Sequence, residues 1–256
     1  MAQIDLNCDM GEGFGSWPMG SDLEILDHVT SANIACGFHA GDPATMHRTV
    51  EAALAKGVAV GAHPGLPDLQ GFGRRAMALT PDEAYDIVVY QVGALAGFAK
   101  ALGGRLSHVK AHGALYNMAA KDFDLSAAIA KAVRDVDCEL VLFGLAGSQT
   151  IRAAESVGLR AAAEVFADRT YQDDGSLTPR SCPDALIEDV QQAVSQAKRL
   201  VIEGQVRSAS GKDVHVRADT LCIHGERPGA LVFVKRIRAE LEREGVAIAA
   251  LRTVRS

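Results

Sequence analysis

Asn33-Ile-Ala-Cys-Gly-Phe-His-Ala-Gly-Asp42 decides how the chain is read. With the two-residue period of a β-strand, Asn33, Ala35, Gly37 and His39 share one face, and Ile34, Cys36 and Phe38 share the other. The first face is small or polar and ends in an imidazole; the second is apolar. Gly41 is expected to break the strand, and Asp42-Pro43 to cap and open a helix. The same order recurs elsewhere. Val58-Ala-Val-Gly-Ala-His63 precedes Pro-Gly, Val109-Lys-Ala-His112 precedes Gly113, and Thr220-Leu-Cys-Ile-His224 precedes Gly-Glu. Four of the eight histidines therefore stand where an apolar run meets a turn residue. A single interior histidine is most often a core residue; four in this position make a site.

Outward from that stretch, Gln3 to Cys8 is expected as the first strand, with Asp5, Asn7 and Asp9 alternating against Ile4, Leu6 and Cys8. Later strands begin at Ser31 and run over Val58 to Ala62, Leu106 to Ala111, Glu139 to Phe143, Arg160 to Phe166 and Thr220 to Ile223. Helices are expected over Pro43 to Lys56, from the capping box Thr80-Pro-Asp-Glu83 to Leu102, and over Asp124 to Val136, Ser148 to Ser156, Asp184 to Glu203 and Gly229 to Arg243. Val206-Arg-Ser and Val214-His-Val read as a small hairpin insertion near 205–217, and Gly245 to Leu251 as a closing or stray last strand.

Strand–helix alternation implies parallel strands joined by crossover helices. An open doubly wound sheet would be apolar on both faces, so one polar face per strand favours a closed barrel. The expected class is α/β: a single (β/α) barrel domain over residues 1–256, TIM-like but irregular, with seven clear strands and the eighth in question.

The net charge of -6 argues against a nucleic-acid or polyanion binder. The opening Met1-Ala-Gln-Ile-Asp-Leu6 has neither a basic segment nor an apolar stretch, so no signal peptide is expected. No apolar run approaches the roughly 20 residues of a membrane span. The five cysteines are scattered without a Cys-x-x-Cys pair, which suits a reduced, cytoplasmic protein.

Barrel sites lie at the C-terminal ends of the strands. There the sequence concentrates Asp9, Glu12, His39, Asp42, His63, Lys110, His112, Glu164, Asp168 and His224. Asp9, His63 and His112 form a candidate ligand set for a divalent metal of the zinc, cobalt or manganese type, with positions left for water. Their scattered spacing suits metal-free acid/base chemistry equally well. Lys110 shares a lumenal face with His108 and His112, and an interior lysine needs a paired carboxylate or an anionic substrate. Arg74 and Arg75, in Gly71-Phe-Gly-Arg-Arg75, offer two guanidiniums to an anion or a solvated turn. His28, His47 and His215 read as surface residues. The Gly11-Glu-Gly-Phe-Gly15 turn lacks the dinucleotide-binding order, and no P-loop is present.

Several long blocks resemble the LamB/YcsF family: Leu6-Asn-Cys-Asp-Met-Gly-Glu-Gly-Phe-Gly15, Thr30 to Asp42, Gly61-Ala-His-Pro-Gly65 and Asp68-Leu-Gln-Gly-Phe-Gly-Arg-Arg75. His108-Val-Lys-Ala-His-Gly-Ala-Leu-Tyr-Asn117, Glu164 to Arg169, Leu177-Thr-Pro-Arg-Ser181 and Asp219 to Gly225 extend the match over essentially the full length. Ala111 stands where the family pattern has proline, and Glu226-Arg227 where Asp-Thr is more usual. The resemblance implies a barrel similar to glycoside hydrolase/deacetylase barrels. It also implies the A subunit of an ATP-dependent 5-oxoprolinase, which opens 5-oxo-L-proline to L-glutamate beside partner subunits B and C. On that basis Asp9, His39, His63 and His112 are the candidate acid/base residues. Lys110 or the Arg74-Arg75 pair would take the substrate carboxylate, with Glu12, Glu164, Asp168 and His224 also contacting substrate. Phosphorylation of the amide oxygen by ATP would lower the barrier to attack on a resonance-stabilised lactam. Without a P-loop, ATP binds here atypically or in a partner subunit. The rival readings are a stand-alone metal-dependent amidohydrolase or deacetylase, and a non-catalytic scaffold.

Overall fold

In the computed structural model, which describes residues 2–224 and 229–251, strand β1 (Gln3–Met10) sets the pattern. Ile4, Leu6, Cys8 and Met10 join the apolar core, while Asp5, Asn7 and Asp9 are buried on the opposite face. The chain continues through α1 (Asp22–Ile25), β2 (Ser31–Ala35), α2 (Pro43–Ala55), β3 (Ala59–His63), α3 (Pro81–Ala101) and β4 (Leu106–Lys110). Next come α4 (Gly113–Ala119), α5 (Phe123–Val136), β5 (Val141–Leu145), α6 (Gln149–Ser156), β6 (Arg160–Phe166) and α7 (Val190–Lys198). The hairpin strands β7 (Gln205–Arg207) and β8 (Asp213–His215) precede β9 (Thr220–Cys222), α8 (Ala230–Arg243) and β10 (Ala247–Ile248).

Parallel pairing runs β1-β2-β3-β4-β5-β6-β9, and β9 returns to β1 with Thr220 opposite Asp5. Seven strands thus close a barrel, with the helices between them. The doubtful last strand is β10, which adds parallel to the foot of β1 at Gln3 and Ile4 instead of entering the closed ring.

Four local expectations are corrected. The Asn33 strand ends at Ala35, because Gly37 turns to φ +93°; His39 therefore sits on a loop, not on a strand face. Strand β5 lies two residues later than expected, which brings Leu145 to its upper end. The long helix before the hairpin starts at Val190, capped by Asp189, and not at Asp184. Residues 184–187 instead bond back to the loop after β6, Thr170 N–H to Ala185 O and Ile187 N–H to Asp168 O. Finally, α4 follows His112 directly, where only a turn was expected. The departure at Glu226-Arg227 lies outside the described residues.

Inside the barrel the polar faces bond to one another. Asp5 accepts from Thr30 (2.6 Å), Ser31 (2.7 Å) and Thr220 (2.5 Å). Asn7 donates to Thr220 (2.7 Å), and Asn33 donates to Asn7 (2.7 Å) and to Asp9 (2.8 Å). His108 bonds Asn33 Oδ1 (2.8 Å) and stacks on Phe143, with ring centroids 4.2 Å apart. Burial, aided by Lys110, pushes His108 down to about 3, so it is a neutral donor here. Its ring needs Gly61 as a neighbour: a Cβ there would lie 2.1 Å from His108 Nε2. Each of these buried polar groups thus has a partner, and the layer holds Asp9 in place from below.

Candidate active site

Asp9 divides the strand-end side chains into two groups. On one side are Glu12, His39, His63 and His112, all buried, whose ligand atoms lie within 4.8 Å of one another. His63 ends β3, His112 follows β4, Glu12 follows β1 and His39 comes from the loop after β2. His63 Nδ1 is 2.7 Å from Lys110 O, and His112 Nε2 is 2.8 Å from Phe72 O. A carbonyl only accepts, so those nitrogens carry the hydrogens and the opposite nitrogens present lone pairs. The two lone pairs, on His63 Nε2 and His112 Nδ1, face each other at 2.9 Å. Two lone pairs at that separation repel unless a proton or a metal cation lies between them.

The surroundings add further acceptors. Glu12 Oε1 is 3.4 Å from His39 Nε2 and 3.5 Å from His112 Nδ1, and Asp9 Oδ2 is 3.3 Å from His63 Nε2. His39 stacks flat on His112 at 3.7 Å, and neither of its ring nitrogens has a hydrogen-bond partner. Burial holds both His39 and His112 well below the ordinary histidine range, so their lone pairs are available. Three imidazoles and a carboxylate converging on one point suit a divalent metal of the zinc, cobalt or manganese kind.

On the other side, Asp9, Cys222 and His224 also bring ligand atoms within 4.8 Å of one another. Here the cation is built in. Lys110 Nζ lies 2.9 Å from Asp9, 2.8 Å from Glu164 and 3.1 Å from Cys222 Sγ. Burial opposes the charge on Lys110, but Asp9, Cys222 and Glu164 outweigh it and hold the ammonium well above its usual range. Burial likewise works against ionised Asp9, and the positive charge around it, that of Lys110 included, overcomes it and keeps the carboxyl well below the usual range. Lys110 is thus paired with two carboxylates.

A cavity of about 770 Å³ opens above these groups and reaches Arg74, Arg169, Arg180 and His224. His224 Nδ1 lies 2.9 and 3.0 Å from the two Asp168 oxygens, and Arg180 Nη2 lies 3.0 Å from His224 Nε2. Arg169 donates to Thr178 O (2.6 Å) and Ala185 O (3.2 Å), pinning the loop that carries Arg180. Burial and the nearby Arg180 charge bring Arg169 down to about 10.

A family model described as the LamB/YcsF family matches residues 4–256. The chain belongs to the LamB/YcsF family. A protein from Bordetella pertussis, named as the A subunit of 5-oxoprolinase, is 68% identical over 247 residues, covering 96% of this chain and 98% of the relative. The lactam utilization protein of Thermus thermophilus superposes with TM-score 0.92 at 48% identity, covering 97% of this chain and 100% of that one. A family 4 carbohydrate esterase from Streptomyces lividans shares the fold at TM-score 0.52 and 13% identity, covering 98% of this chain and 93% of that one.

The LamB/YcsF barrel brings together Asp9, Glu12, His39, His63, Lys110, His112, Glu164, Asp168 and His224. Arg74 lines the cavity with its guanidinium 4.8 Å over the Phe72 ring, while Arg75 is turned to Asp68. Asp42 caps α2. Sequence reasoning missed Tyr116, Cys222 and Arg180 as site residues. Burial and Glu164 push the Tyr116 phenol well above its usual range. Arg180 could have been found from the Leu177-Thr-Pro-Arg-Ser181 block, which carries part of the family resemblance.

Proposed function

We propose that this chain is the A subunit of an ATP-dependent 5-oxoprolinase, opening the lactam of 5-oxo-L-proline to L-glutamate with ADP and phosphate. The observation that carries the reading is full-length similarity, at 68% identity, to a protein of that name. The relative's designation as one lettered subunit supports partner subunits, which we assign as B and C. ATP is a co-substrate of the assembly, bound here atypically or in a partner. Free cysteines at 8, 36, 138, 182 and 222 suit a reducing cytoplasm, and among the described residues no helix is long and apolar enough to cross a membrane.

His39, His63 and His112, with Glu12 or Asp9, would hold a divalent ion. Asp9, His63 and His112 are the ligands expected from sequence, and the geometry adds Glu12 and His39. Bound there, the ion would supply Lewis acidity toward the lactam oxygen or a more acidic water. The chain's own part is preorganisation. The Lys110 and Phe72 carbonyls fix the inward tautomers of His63 and His112, and Lys110 keeps Asp9 ionised beside them.

The test is glutamate release from 5-oxo-L-proline and ATP, by this chain alone and then with subunits B and C. Release only in the mixture is the expected result; no release in an otherwise competent mixture overturns the reading. The acceptor cluster favours one alternative, a stand-alone metal-dependent amidohydrolase. Activity lost on chelation, with no demand for ATP, would establish that alternative instead.

A further inference from the structure

We propose that the N-terminus of α6, with Ser148 and Arg169, is a phosphoryl-binding subsite in the wall of the active-site cavity. The inference rests on the 5-oxoprolinase reading above and deepens it, because ATP is a co-substrate there and the chain has no P-loop. Leu145, Ala146, Gly147 and Ser148 make the turn from β5 into α6, and all four line the cavity. Ser148 is the N-cap of α6. A serine there ordinarily accepts an N–H of the first helical turn, but Ser148 makes no such bond. It is only 8% exposed, and among the described residues nothing hydrogen-bonds its Oγ. A buried hydroxyl without a partner is rare, and this one stands where the helix N–H groups and dipole already favour negative charge.

A second group calls for an anion independently. Arg169, 5% exposed, lines the same cavity. Its Nε and Nη2 donate to Ala185 O and Thr178 O. Nη1 has no acceptor among the described residues, and no carboxylate among them forms an ion pair with this guanidinium. The Asp168 charge helps hold its proton, yet burial and the Arg180 charge outweigh it. Two carbonyl dipoles do not neutralise a full charge, and buried charges are generally paired. The two features rise from adjacent strands: Leu145 sits opposite Glu164, and Ala146 N–H donates to Glu164 O at 3.0 Å. Arg169 follows five positions after Glu164. On the other flank Gln149 N–H donates to Ala120 O (3.0 Å), and the next residue, Lys121, is also part of the cavity wall.

Gly147 turns at φ +76°, and a Cβ built on it meets nothing within 4 Å, so the space over the turn is open. The donors come from three parts of the chain: Lys121 between α4 and α5, Ser148 with the first turn of α6, and Arg169 after β6. A carboxylate presents two oxygens in one plane. A phosphoryl group presents three oxygens and up to two negative charges, which suits donors arriving from several sides. Asp174, on the same wall, accepts the Ser176 N–H at 2.9 Å. Two sources supply a phosphoryl group: the terminal phosphate of ATP itself, or a lactam whose amide oxygen a partner subunit has phosphorylated. Both place phosphate oxygens on the same donors.

The experiment titrates the full chain with inorganic phosphate by calorimetry, and then follows the mixture with subunits B and C. Wild type should bind phosphate saturably. Ser148→Asp keeps a good helix cap but puts a carboxylate among the donors. It should weaken phosphate binding by about 10- to 100-fold, with Tm at or above wild type. Lys121 is exposed, so Lys121→Met reads the site without touching the core; it should weaken binding by about 2- to 10-fold and flatten its salt dependence. In the mixture, a raised KM for ATP in Ser148→Asp identifies ATP as the source. An unchanged KM for ATP, with less glutamate released per ATP consumed, identifies the phosphorylated lactam. A raised KM for 5-oxo-L-proline with phosphate binding untouched makes the site a carboxylate receptor and overturns the proposal. So does wild type that binds no phosphate, or Ser148→Asp that binds it as wild type does. Because binding is read on this chain alone, a mixture that releases no glutamate overturns the functional reading and leaves the phosphate site standing.

Discussion

Lys110 shows how one residue constrains the barrel interior. Its ammonium is buried between Asp9 and Glu164, so removing it leaves two carboxylates facing each other without a counter-charge. Lys110→Met keeps the apolar stem and deletes only the charge. Breaking a buried pair in this way costs about 3–5 kcal/mol. Urea unfolding at neutral pH should therefore show a lower midpoint with an unchanged slope, and a loss below about 1 kcal/mol would mean that water already compensates the carboxylates. At this scale the sequence was legible in kind but not in partnership. Alternation placed Lys110 in the lumen, yet whether it met a substrate or a carboxylate depended on Glu164, 54 positions away across β5. Arg180 was hidden for a related reason. It lies in a polar loop with no periodicity, and its target, His224, is 44 residues further on.

The elements were easier to read, because capping and periodicity are local. Thr80 and Glu83 form the reciprocal capping box that their spacing announces, and Asp42 accepts from Ala44 and Thr45 at the start of α2. Where the expectations failed, tertiary bonds had overridden them. Residues 184–187 prefer the loop after β6 to an extra helical turn, and Gly37 turns the chain so that His39 enters the site from a loop. Asp42 does more than cap, since it also accepts the Gly15 N–H at 2.9 Å and so ties the loop after β1 to α2. That bond, the Thr45 hydroxyl and the helix N–H groups hold its carboxyl down at about 2, against an ordinary 3.8. The sign follows directly. Because the folded state favours the ionised form, the contribution is complete above about pH 4 and is lost as pH falls through about 2. Asp42→Ala should cost about 1 kcal/mol at pH 7. In paired urea titrations the gap from wild type should close as pH approaches 2. A gap that stayed constant would place the effect in side-chain packing and not in the charged cap.

The whole molecule must close a ring with seven strands, and the way it does so leaves its two ends different. At the top the strand ends hold polar groups around the cavity. At the foot, β1 pairs with β10 as well as with β9, and the chain beyond β10 carries Leu251 against Val141, Phe143 and Ala162. Those three residues form an apolar cluster separate from the main core, on the inner faces of β5 and β6. Leu251 therefore acts as a stopper for the half of the lumen that the Asp5–Asn7–Asn33 network does not fill. The sequence offered Gly245 to Leu251 only as a closing or stray strand, because two paired residues and one leucine make no periodic signal. As a stopper, Leu251 makes contacts that are only half-buried, so Leu251→Ala should cost about 1–2 kcal/mol, below the range for a fully buried leucine. The loss should appear in global unfolding with kinetics at the cavity unchanged, since the stopper and the strand-end cluster lie at opposite ends of the barrel. Leu251→Met, which conserves volume, should recover most of the stability. A neutral Leu251→Ala would show instead that β10 alone seals the foot. A change in KM with stability intact would show that the two ends are coupled through the polar layer beneath Asp9.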